Sequence, residues 1–259
     1  MATETEEAII RFEGVCKAFG GPPVLDGIDF TVRRGETFAL VGPSGTGKSV
    51  TLKHMVRLLT PDAGNVFVDD RIVNHASGRA LEKIRNRFGY LFQGGALLAW
   101  MSVAENIALP LQEKTSMTQG EIDRRVAEVL DMVGMAHDGD KRPAEISGGM
   151  KKRAGLARAI VTQPDIVLYD EPTSGLDPVT SRTIDRLIDR LREETKITSV
   201  VVTHDLHSAL AIAHSIAVLQ DGKIIEVSTP QEFVESSNEQ VVRFLESQYI
   251  TKRGAWEEA

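Results

Sequence analysis

The sequence predicts an α/β protein built around a parallel β-sheet. Three short, mainly apolar runs carry this prediction, at residues 38–41, 166–169 and 198–202. Each run lacks a regular alternation of apolar and polar residues, which is typical of a strand buried on both faces. Residues with polar, chemically active side chains follow each run. Because ligands gather at the carboxyl ends of the strands in open α/β sheets, we expect these side chains to face one crevice.

A glycine-rich loop follows the first of these strands. Residues 42–49 read GPSGTGKS and match the pattern G-x-x-x-x-G-K-[ST] in full. The glycines let successive backbone N–H groups point inward at nucleotide phosphates, Lys48 reaches the β- and γ-phosphates, and Ser49 offers a hydroxyl to Mg²⁺. A helix predicted from residue 48 towards residue 59 directs its positive end at the same phosphates. The alternative is a turn that merely joins strand to helix. The expected ligands are ATP and Mg²⁺, and the nucleotide-binding residues are Gly42, Pro43, Ser44, Gly45, Thr46, Gly47, Lys48 and Ser49.

Polar side chains also follow the other predicted strands. Gln93 comes after a strand predicted at residues 88–92, and a side-chain amide there can ligate Mg²⁺. Asp170 is placed to hold Mg²⁺ through water, while its neighbour Glu171 can polarise a water as general base. His204 follows the run at 198–202, where its ring can reach the γ-phosphate. Taken singly, Gln93 could cap a loop and the two acids could lie at a surface turn. The candidate metal ligands are Ser49, Gln93 and Asp170, and the candidate catalytic residues are Glu171 and His204.

A basic helix start follows Ser147, Gly148 and Gly149. The next residues, MKKR, place three cations in the first turn, where the helix dipole disfavours positive charge. This arrangement suits a site that binds phosphate, and the alternative is a solvated basic face.

The segment at residues 96–111, ALLAWMSVAENIALPL, is more apolar than a surface loop normally is. It therefore either packs inside the protein or docks onto a partner. The residues at issue are Leu97, Leu98, Trp100 and Met101.

Composition narrows the classes of protein that remain. The chain of 259 residues is 42% hydrophobic, which is enough for a sizeable core, and its net charge of −7 argues against nucleic acid as a partner. A single cysteine, Cys16, and a start, MATETEEA, without signal-peptide features predict a reducing cytosol. No apolar run approaches the roughly 18–20 residues that a membrane helix needs. Any membrane role is therefore expected to come through a partner.

The remaining segments predict scaffolding. Phe19 lies in a loop where an aromatic ring can stack on adenine, although a lone phenylalanine is more often part of a core. The chain after Pro230 reads as helical and polar, with a frayed end at residues 252–259. Strands are predicted at 9–15 and 28–32, hairpins at 60–73 and 216–227, and helices at 78–86, 118–133 and 179–194.

The motifs GPSGTGKS, Gln93, ISGGM, IVLYDEP, SGLD and His204 together resemble those of ATP-binding cassette (ABC) ATPases in order and spacing. The resemblance covers residues 9–235. It implies that Phe19 stacks on adenine, residues 42–49 are the Walker A loop, and Gln93 is the Q-loop residue. It likewise implies a signature at residues 147–150, a D-loop at 174–177, Asp170 in Walker B, Glu171 as catalytic base and His204 as switch histidine.

The resemblance also implies an architecture and an assembly. The expected fold is a P-loop NTPase (RecA-like) core with a parallel sheet, an antiparallel β subdomain and an inserted α-helical subdomain at about residues 95–160. A single ABC ATPase domain is expected over residues 9–235, followed by a helical, polar tail over 236–259. Two copies are expected to dimerise head to tail, so that the signature of one covers the γ-phosphate held by the other. Such an ATPase powers a membrane permease from the cytoplasmic side of the inner (plasma) membrane, to which it is peripheral.

One departure from the family pattern bears on the substrate. The signature usually ends in Gln, and here residue 150 is Met. SGGMKKR and FQGGALLAWMSVAENIALPL are similar to the ATPases of MCE-associated (Mla-type) phospholipid transporters, which implies an MCE-domain substrate-binding subunit and a small accessory subunit as further partners. ATPases of polar amino-acid and other small-solute importers share most motifs and are the alternative. Non-transport ABC ATPases usually carry paired cassettes or long coiled coils, and a regulatory module without turnover is expected to lack the base.

Overall fold

The computed structural model describes residues 8–250. Its strands are β1 (Ala8–Lys17), β2 (Leu25–Arg33), β3 (Thr37–Val41), β4 (Ala63–Val68), β5 (Arg71–Ile72), β6 (Phe88–Leu91), β7 (Ile166–Asp170), β8 (Thr198–Thr203), β9 (Ser215–Gln220) and β10 (Lys223–Ser228). Its helices are α1 (Lys48–Met55), α2 (Gly78–Arg85), α3 (Val103–Lys114), α4 (Gln119–Met132), α5 (Gly148–Ile160), α6 (Pro178–Thr195), α7 (Leu206–Ile212), α8 (Pro230–Val234) and α9 (Glu239–Ser247).

A six-stranded sheet in the order β10-β9-β3-β8-β7-β6 forms the centre. The strands from β9 to β6 run parallel to their neighbours, and β10 pairs antiparallel with β9 at one edge. All residues of β3, β7 and β8 are buried, as their apolar sequences predict. The loop at 42–49 therefore leaves the middle of the sheet, directly beside the carboxyl ends of β8 and β9.

A second, antiparallel sheet in the order β2-β1-β4-β5 packs on one face of the centre. Phe12 of β1 and Phe30 of β2 are paired in register, and their rings stack at 4.4 Å. Phe30 in turn stacks at 5.2 Å on Phe38 of β3, which joins the two sheets. The β2 strand thus begins beside the central sheet, where the Asp26 N–H donates to the Gly222 carbonyl at 2.8 Å.

Helices cover the other parts of the central sheet. Helices α3, α4 and α5 share one buried cluster with α6 and with Val167, Tyr169 and Val201 of the sheet. A separate cluster joins α7, α8 and α9 to Ala39 and Val41 of β3. Both faces of the parallel sheet are therefore covered, as a sheet of this composition requires.

The helix after the glycine-rich loop is shorter than predicted. It ends at Met55 rather than near residue 59. Arg57 has a left-handed backbone (φ 51°), and Leu58 donates back to the Lys53 carbonyl at 2.8 Å, which closes the helix. No glycine or proline marks this position, so the sequence carries no stop signal there.

The predicted frayed segment at 252–259 lies outside the described residues. Within residues 8–250, no helix combines the length and the apolar character needed to cross a membrane.

Candidate functional site

The glycines of the loop at 42–49 are required by close backbone neighbours. Gly42 has φ 156°, and a Cβ there would lie 2.2 Å from the Leu219 carbonyl oxygen of β9. Gly47 has φ 102°, and a Cβ there would lie 2.8 Å from a methyl group of Val24. Both positions are closed to any side chain. The loop is consequently held against β9 on one side and against the segment before β2 on the other.

Lys48 is the first residue of α1, and its side chain folds back over the loop. Its Nζ donates to the carbonyls of Gly42 and Pro43 at 2.8 and 2.9 Å and lies 3.9 Å from Glu171 Oε1. The residue is 5% exposed, and this burial lowers the pKa of the ammonium, against which Glu171 and Asp170 act. A desolvated cation at the mouth of a glycine loop is matched to an anionic ligand.

Ser49 and Asp170 join the loop to the end of β7. Ser49 Oγ donates to Asp170 Oδ1 at 2.6 Å, and the Tyr90 hydroxyl lies 3.4 Å from Asp170 Oδ2. Burial and the charge of Asp170 together raise the pKa of Tyr90, so Tyr90 remains a neutral donor. A hydroxyl and a carboxylate side by side are hard oxygen donors of the kind that Mg²⁺ prefers.

Glu171 and His204 form the next pair along the sheet edge. His204 Nδ1 lies 2.8 Å from Glu171 Oε2. Glu171 adopts a left-handed backbone (φ 51°), which is strained for a residue with a side chain. Its N–H donates to the Val202 carbonyl at 2.9 Å, and its carbonyl accepts from Lys152 Nζ at 2.7 Å. The backbone of Glu171 is thus fixed from both sides, which aims its carboxylate at His204.

The basic start of α5 is not a solvated face, because two of its three cations donate hydrogen bonds to backbone carbonyls of the same chain. Lys152 is 4% exposed and binds the carbonyl of Glu171. Arg153 donates to the Gly134 carbonyl at 2.9 Å, beyond the end of α4. The interpretation of the whole basic run as a phosphate site was therefore wrong for Lys152 and Arg153, because both are consumed by carbonyls of their own chain.

The signature residues make no described hydrogen bond with this cluster. Ser147 caps α5 by accepting from the Met150 N–H at 3.2 Å, and a Cβ on Gly149 would lie 2.5 Å from a methyl of Thr180. A Cβ on Gly148 would lie 3.5 Å from a methyl of Leu176, two residues before α6. Among the hydrogen bonds and ion pairs of residues 8–250, none links Ser147, Gly148 or Gly149 to the loop at 42–49.

Phe19 and Gln93 are exposed side chains outside this cluster. Phe19 is 57% exposed, and the Lys17 ammonium lies 5.5 Å from the centre of its ring. Asp62 holds this segment through Lys17 Nζ and the Ala18 N–H, both at 2.7 Å. The structure therefore brings together Lys48, Ser49, Asp170, Glu171 and His204, while no described hydrogen bond joins Phe19 or Gln93 to them.

Gln93 occupies a tight turn whose far end is anchored. The Gly95 N–H donates to the Phe92 carbonyl at 2.9 Å, which makes Gln93 and Gly94 the central residues of a four-residue turn. Arg158 of α5 donates to the Gly95 and Ala96 carbonyls, both at 2.8 Å. The segment after Gln93 is thus tied to the helix that begins at the signature.

Asn106 fixes the apolar segment that follows this turn. The residue is fully buried, accepts from the Leu98 N–H at 2.7 Å, and donates to the carbonyls of Leu98, Met101 and Ser102. Leu97 packs against the helical cluster, whereas Trp100 is 73% exposed. Asn106, Lys152 and Tyr90 were all missed as site-supporting residues from the sequence, since each looks like an ordinary element residue.

Residues 25–174 match the family model described as ABC transporter. The chain belongs to the ABC transporter family. This confirms the family expected from the motifs, and with it the P-loop NTPase fold. The chain is an ABC transporter ATPase subunit, which binds nucleotide and hydrolyses ATP.

Curated ABC relatives carry different substrate names. The chain is 41% identical to "Probable ribonucleotide transport ATP-binding protein mkl" of Mycobacterium tuberculosis, over 96% of this chain and 69% of that protein. It is 40% identical to "Methionine import ATP-binding protein MetN 2" of Rhodopseudomonas palustris, over 86% and 59%. It is 37% identical to "Intermembrane phospholipid transport system ATP-binding protein MlaF" of Haemophilus influenzae, over 88% and 87%.

A solved ABC structure has the same fold. It is the dimeric post-hydrolysis state of the ATP-binding cassette MJ0796, bound to ADP and Pi. The TM-score is 0.78 at 31% identity, over 85% of this chain and 98% of that one.

Proposed function

We propose that this ABC ATPase hydrolyses ATP with Glu171 as general base and His204 as its partner. The observation that carries the proposal is the 2.8 Å contact between His204 Nδ1 and Glu171 Oε2, with the Lys48 ammonium 3.9 Å from the other oxygen of Glu171. Glu171 accepts a proton from the attacking water as the water oxygen bonds to the γ-phosphorus. The bond between the γ-phosphorus and the bridging oxygen then breaks, and ADP leaves. The His204 ring contacts the γ-phosphate through the nitrogen that does not face Glu171, and Lys48 neutralises charge on the β- and γ-phosphates.

We further propose Mg²⁺ as the metal. Ser49 and Asp170 present oxygen donors 2.6 Å apart, and Gln93 supplies a third from the turn after β6. When bound, Mg²⁺ neutralises charge on the phosphate oxygens. Lys48 and the loop N–H groups orient the phosphates whether or not the ion is present.

The remaining nucleotide contacts are assigned to Phe19 and to a second copy of the chain. Phe19 is exposed and stacks on adenine in this proposal, and Ser147, Gly148 and Gly149 of one subunit cover the γ-phosphate held by the other. These three residues make no described hydrogen bond with their own glycine loop, which supports a head-to-tail dimer. The dimeric assembly of the MJ0796 cassette supports it as well.

The substitution Glu171→Gln tests the assignment of the base. It keeps the size of the side chain but removes the proton acceptor, so we expect hydrolysis to slow about 10²- to 10⁴-fold. Binding of ATP and Mg²⁺ should persist, and the ATP-bound dimer should accumulate in light scattering. Glu193→Gln, an exposed change on α6, is the matched control. Wild-type turnover by Glu171→Gln would overturn the assignment.

A membrane permease is the proposed partner, and the segment at 96–101 is the proposed contact. Trp100 is 73% exposed and Phe92, on the other side of the Gln93 turn, is 38% exposed. Asn106 fixes the backbone at residues 98–102, around Trp100, through four hydrogen bonds. An exposed aromatic on a rigid segment is typical of a protein interface. The proposal places this ATPase at the cytoplasmic side of the inner membrane, peripheral through its permease.

Trp100→Asp tests this contact. The side chain is largely exposed, so the isolated subunit should fold and hydrolyse ATP as before, while assembly with the membrane subunit should be lost. Leu58→Asp, at another exposed apolar residue (54%), is the matched control and should assemble normally. An unaffected complex with Trp100→Asp, or a collapsed melt, would contradict the proposed contact.

The proposed cargo is phospholipid of the Mla/MCE type. Similarity to MlaF over 87% of its length supports it, as do the motif SGGMKKR and its Met150. Further partners in this proposal are an MCE-domain subunit and a small accessory subunit, and no nucleic acid. The domain organisation that goes with it is one cassette over residues 9–235, with a helical insert at about 95–160 and a tail over 236–259. Import of methionine or another small solute is the alternative, supported by the similarity to MetN 2.

Purification of the tagged chain from host membranes separates these cargoes. Recovery with a permease and an MCE-domain subunit, together with extractable phospholipid, would support lipid transport. Recovery with a soluble solute-binding protein, and ATPase activity stimulated by methionine, would support the alternative. Recovery with ribosomes or DNA would contradict both and favour a non-transport role.

A further inference from the structure

The C-terminal helix ends against the loop that carries His204. Gln248 follows α9 directly, and its side-chain amide makes two hydrogen bonds with the backbone of that loop. Its Nε2 donates to the His204 carbonyl at 2.6 Å, and its Oε1 accepts from the Leu206 N–H at 2.8 Å. A third contact joins His207 Nε2 to the Gln248 carbonyl at 3.3 Å. One side chain, 44 residues away in sequence, thus bridges the residues before and after Asp205.

Apolar packing fixes the position of this amide. Val241, Leu245 and Ile250 are at most 5% exposed and lie in the cluster that contains Leu206 and Val41. Val41 is the residue directly before the glycine loop. The end of α9 therefore belongs to the same rigid unit as the strand that carries the nucleotide site, and its amide reaches the His204 loop from a fixed base.

The His204 side chain itself has little to hold it. It is 50% exposed, and its one described side-chain hydrogen bond is the 2.8 Å contact with Glu171. Asp205 is occupied in capping α7 and accepts from the N–H groups of His207 and Ser208. The orientation of the ring consequently depends on the backbone of residue 204, whose carbonyl is held by Gln248.

We propose that Gln248 is a positioning residue for His204, through which the C-terminal segment at 239–250 sets the rate of ATP hydrolysis. The proposal rests on the role of His204 stated above. Gln248 makes no described contact with the glycine loop, so its effect belongs in turnover rather than in ATP affinity. A contact that moves α9 would change turnover by the same route.

Three substitutions test the proposal in the full-length chain. Gln248→Met keeps the volume and removes both hydrogen bonds, and we expect kcat to fall about 3- to 10-fold with the KM for ATP unchanged. Gln248→Glu keeps the shape and the acceptor for Leu206 but loses the donor to the His204 carbonyl, so its kcat should fall at least as far. Gln240→Met, on the exposed face of α9, is the control and should match wild type.

A double-mutant cycle decides whether the effect acts through His204. Single-turnover hydrolysis of labelled ATP keeps the slow variants measurable. Gln248→Met should change the rate less than about twofold in a His204→Ala background, because the group it positions is gone. The same 3- to 10-fold loss in both backgrounds, or wild-type turnover by Gln248→Glu, would overturn the proposal. If His204→Ala itself turns over normally, the proposed role of His204 in hydrolysis is wrong. That result differs from one in which His204→Ala is slow but Gln248→Met acts independently of it, which rejects only the role of Gln248. If Gln248→Met does not fold, Gln248→Asn, shorter by one methylene, replaces it in the cycle.

Discussion

Asp185 on α6 is a buried carboxylate whose ionisation opposes folding. It is 6% exposed and lines a cleft of about 530 Å³ between α6 and α7, where its Oδ1 accepts from the Ser208 hydroxyl. Burial raises the pKa of Asp185 from 3.8 to about 6; Asp205 adds to the rise, and Ser208 and Arg182 oppose it. The folded state therefore binds this proton more tightly than the unfolded state does. The free energy of unfolding therefore falls as the pH rises from about 3.8 to about 6, and above that range the full destabilisation by the ionised carboxylate is present.

Asp185→Asn removes the charge and keeps an acceptor for Ser208. A difference of about two pKa units corresponds to roughly 3 kcal/mol of unfolding free energy, so we expect a gain approaching that value above about pH 7. For a chain of this length the melting temperature should rise by about 6 to 12 °C. Near pH 5 the gain should be about half as large, because Asp185 is then mostly protonated in the folded state and mostly ionised in the unfolded state.

Urea unfolding at several pH values measures this gain directly. Asp189→Asn, one turn further along α6 and 40% exposed, is the matched control and should change stability by less than about 0.5 kcal/mol at every pH. A gain from Asp185→Asn that is the same at pH 5 and pH 8, or a loss at pH 8, would refute the reasoning.

Three further substitutions follow from the site. Lys48→Ala should weaken ATP binding by about one to two decades in calorimetry, since a charge-assisted contact is lost; equal affinity would contradict this. Lys152→Met leaves the Glu171 carbonyl without its donor and should lower kcat about tenfold. The free energy of unfolding should change by less than about 1 kcal/mol, because the cost of burying the ammonium, which lowers the pKa of Lys152, is removed together with the hydrogen bond. Asn106→Ala should cost roughly 2 to 4 kcal/mol and expose residues 98–102 to protease, and an unchanged melt with a resistant loop would reject it.

The parts of the fold that the sequence predicted are those encoded locally. The buried strand β3 and the loop at 42–49 are contiguous, so apolar run, glycines and Lys48 all lie within one short window. The face of α4 was predicted for the same reason, because Ile122, Val126 and Val129 recur at helical spacing and are buried.

The parts that failed depend on contacts between distant segments. Lys152 carries no sign in the sequence that it is buried, because the group that binds it, the Glu171 carbonyl, belongs to a different element. Gln248 pairs with a backbone 44 residues away, and backbone partners leave no pattern in the side chains. The end of α1 at Met55 is a local exception, because it depends on the left-handed backbone of Arg57 and neither glycine nor proline marks that position.

The geometry of the turn that carries Gln93 allows its backbone to change direction. Gly94 sits at the third position with φ 95°, in open space, whereas Gly95 is pinned to α5 by Arg158. A turn with glycine at its third position has two forms of similar energy, which differ in the direction of the central amide and share the same end points. The peptide between Gln93 and Gly94 can therefore reverse while Phe92 and Gly95 stay in place. The Gln93 carbonyl and the Gly94 N–H can thus exchange faces of the turn by rotation of a single peptide plane, without separation of the sheet from the helical layer.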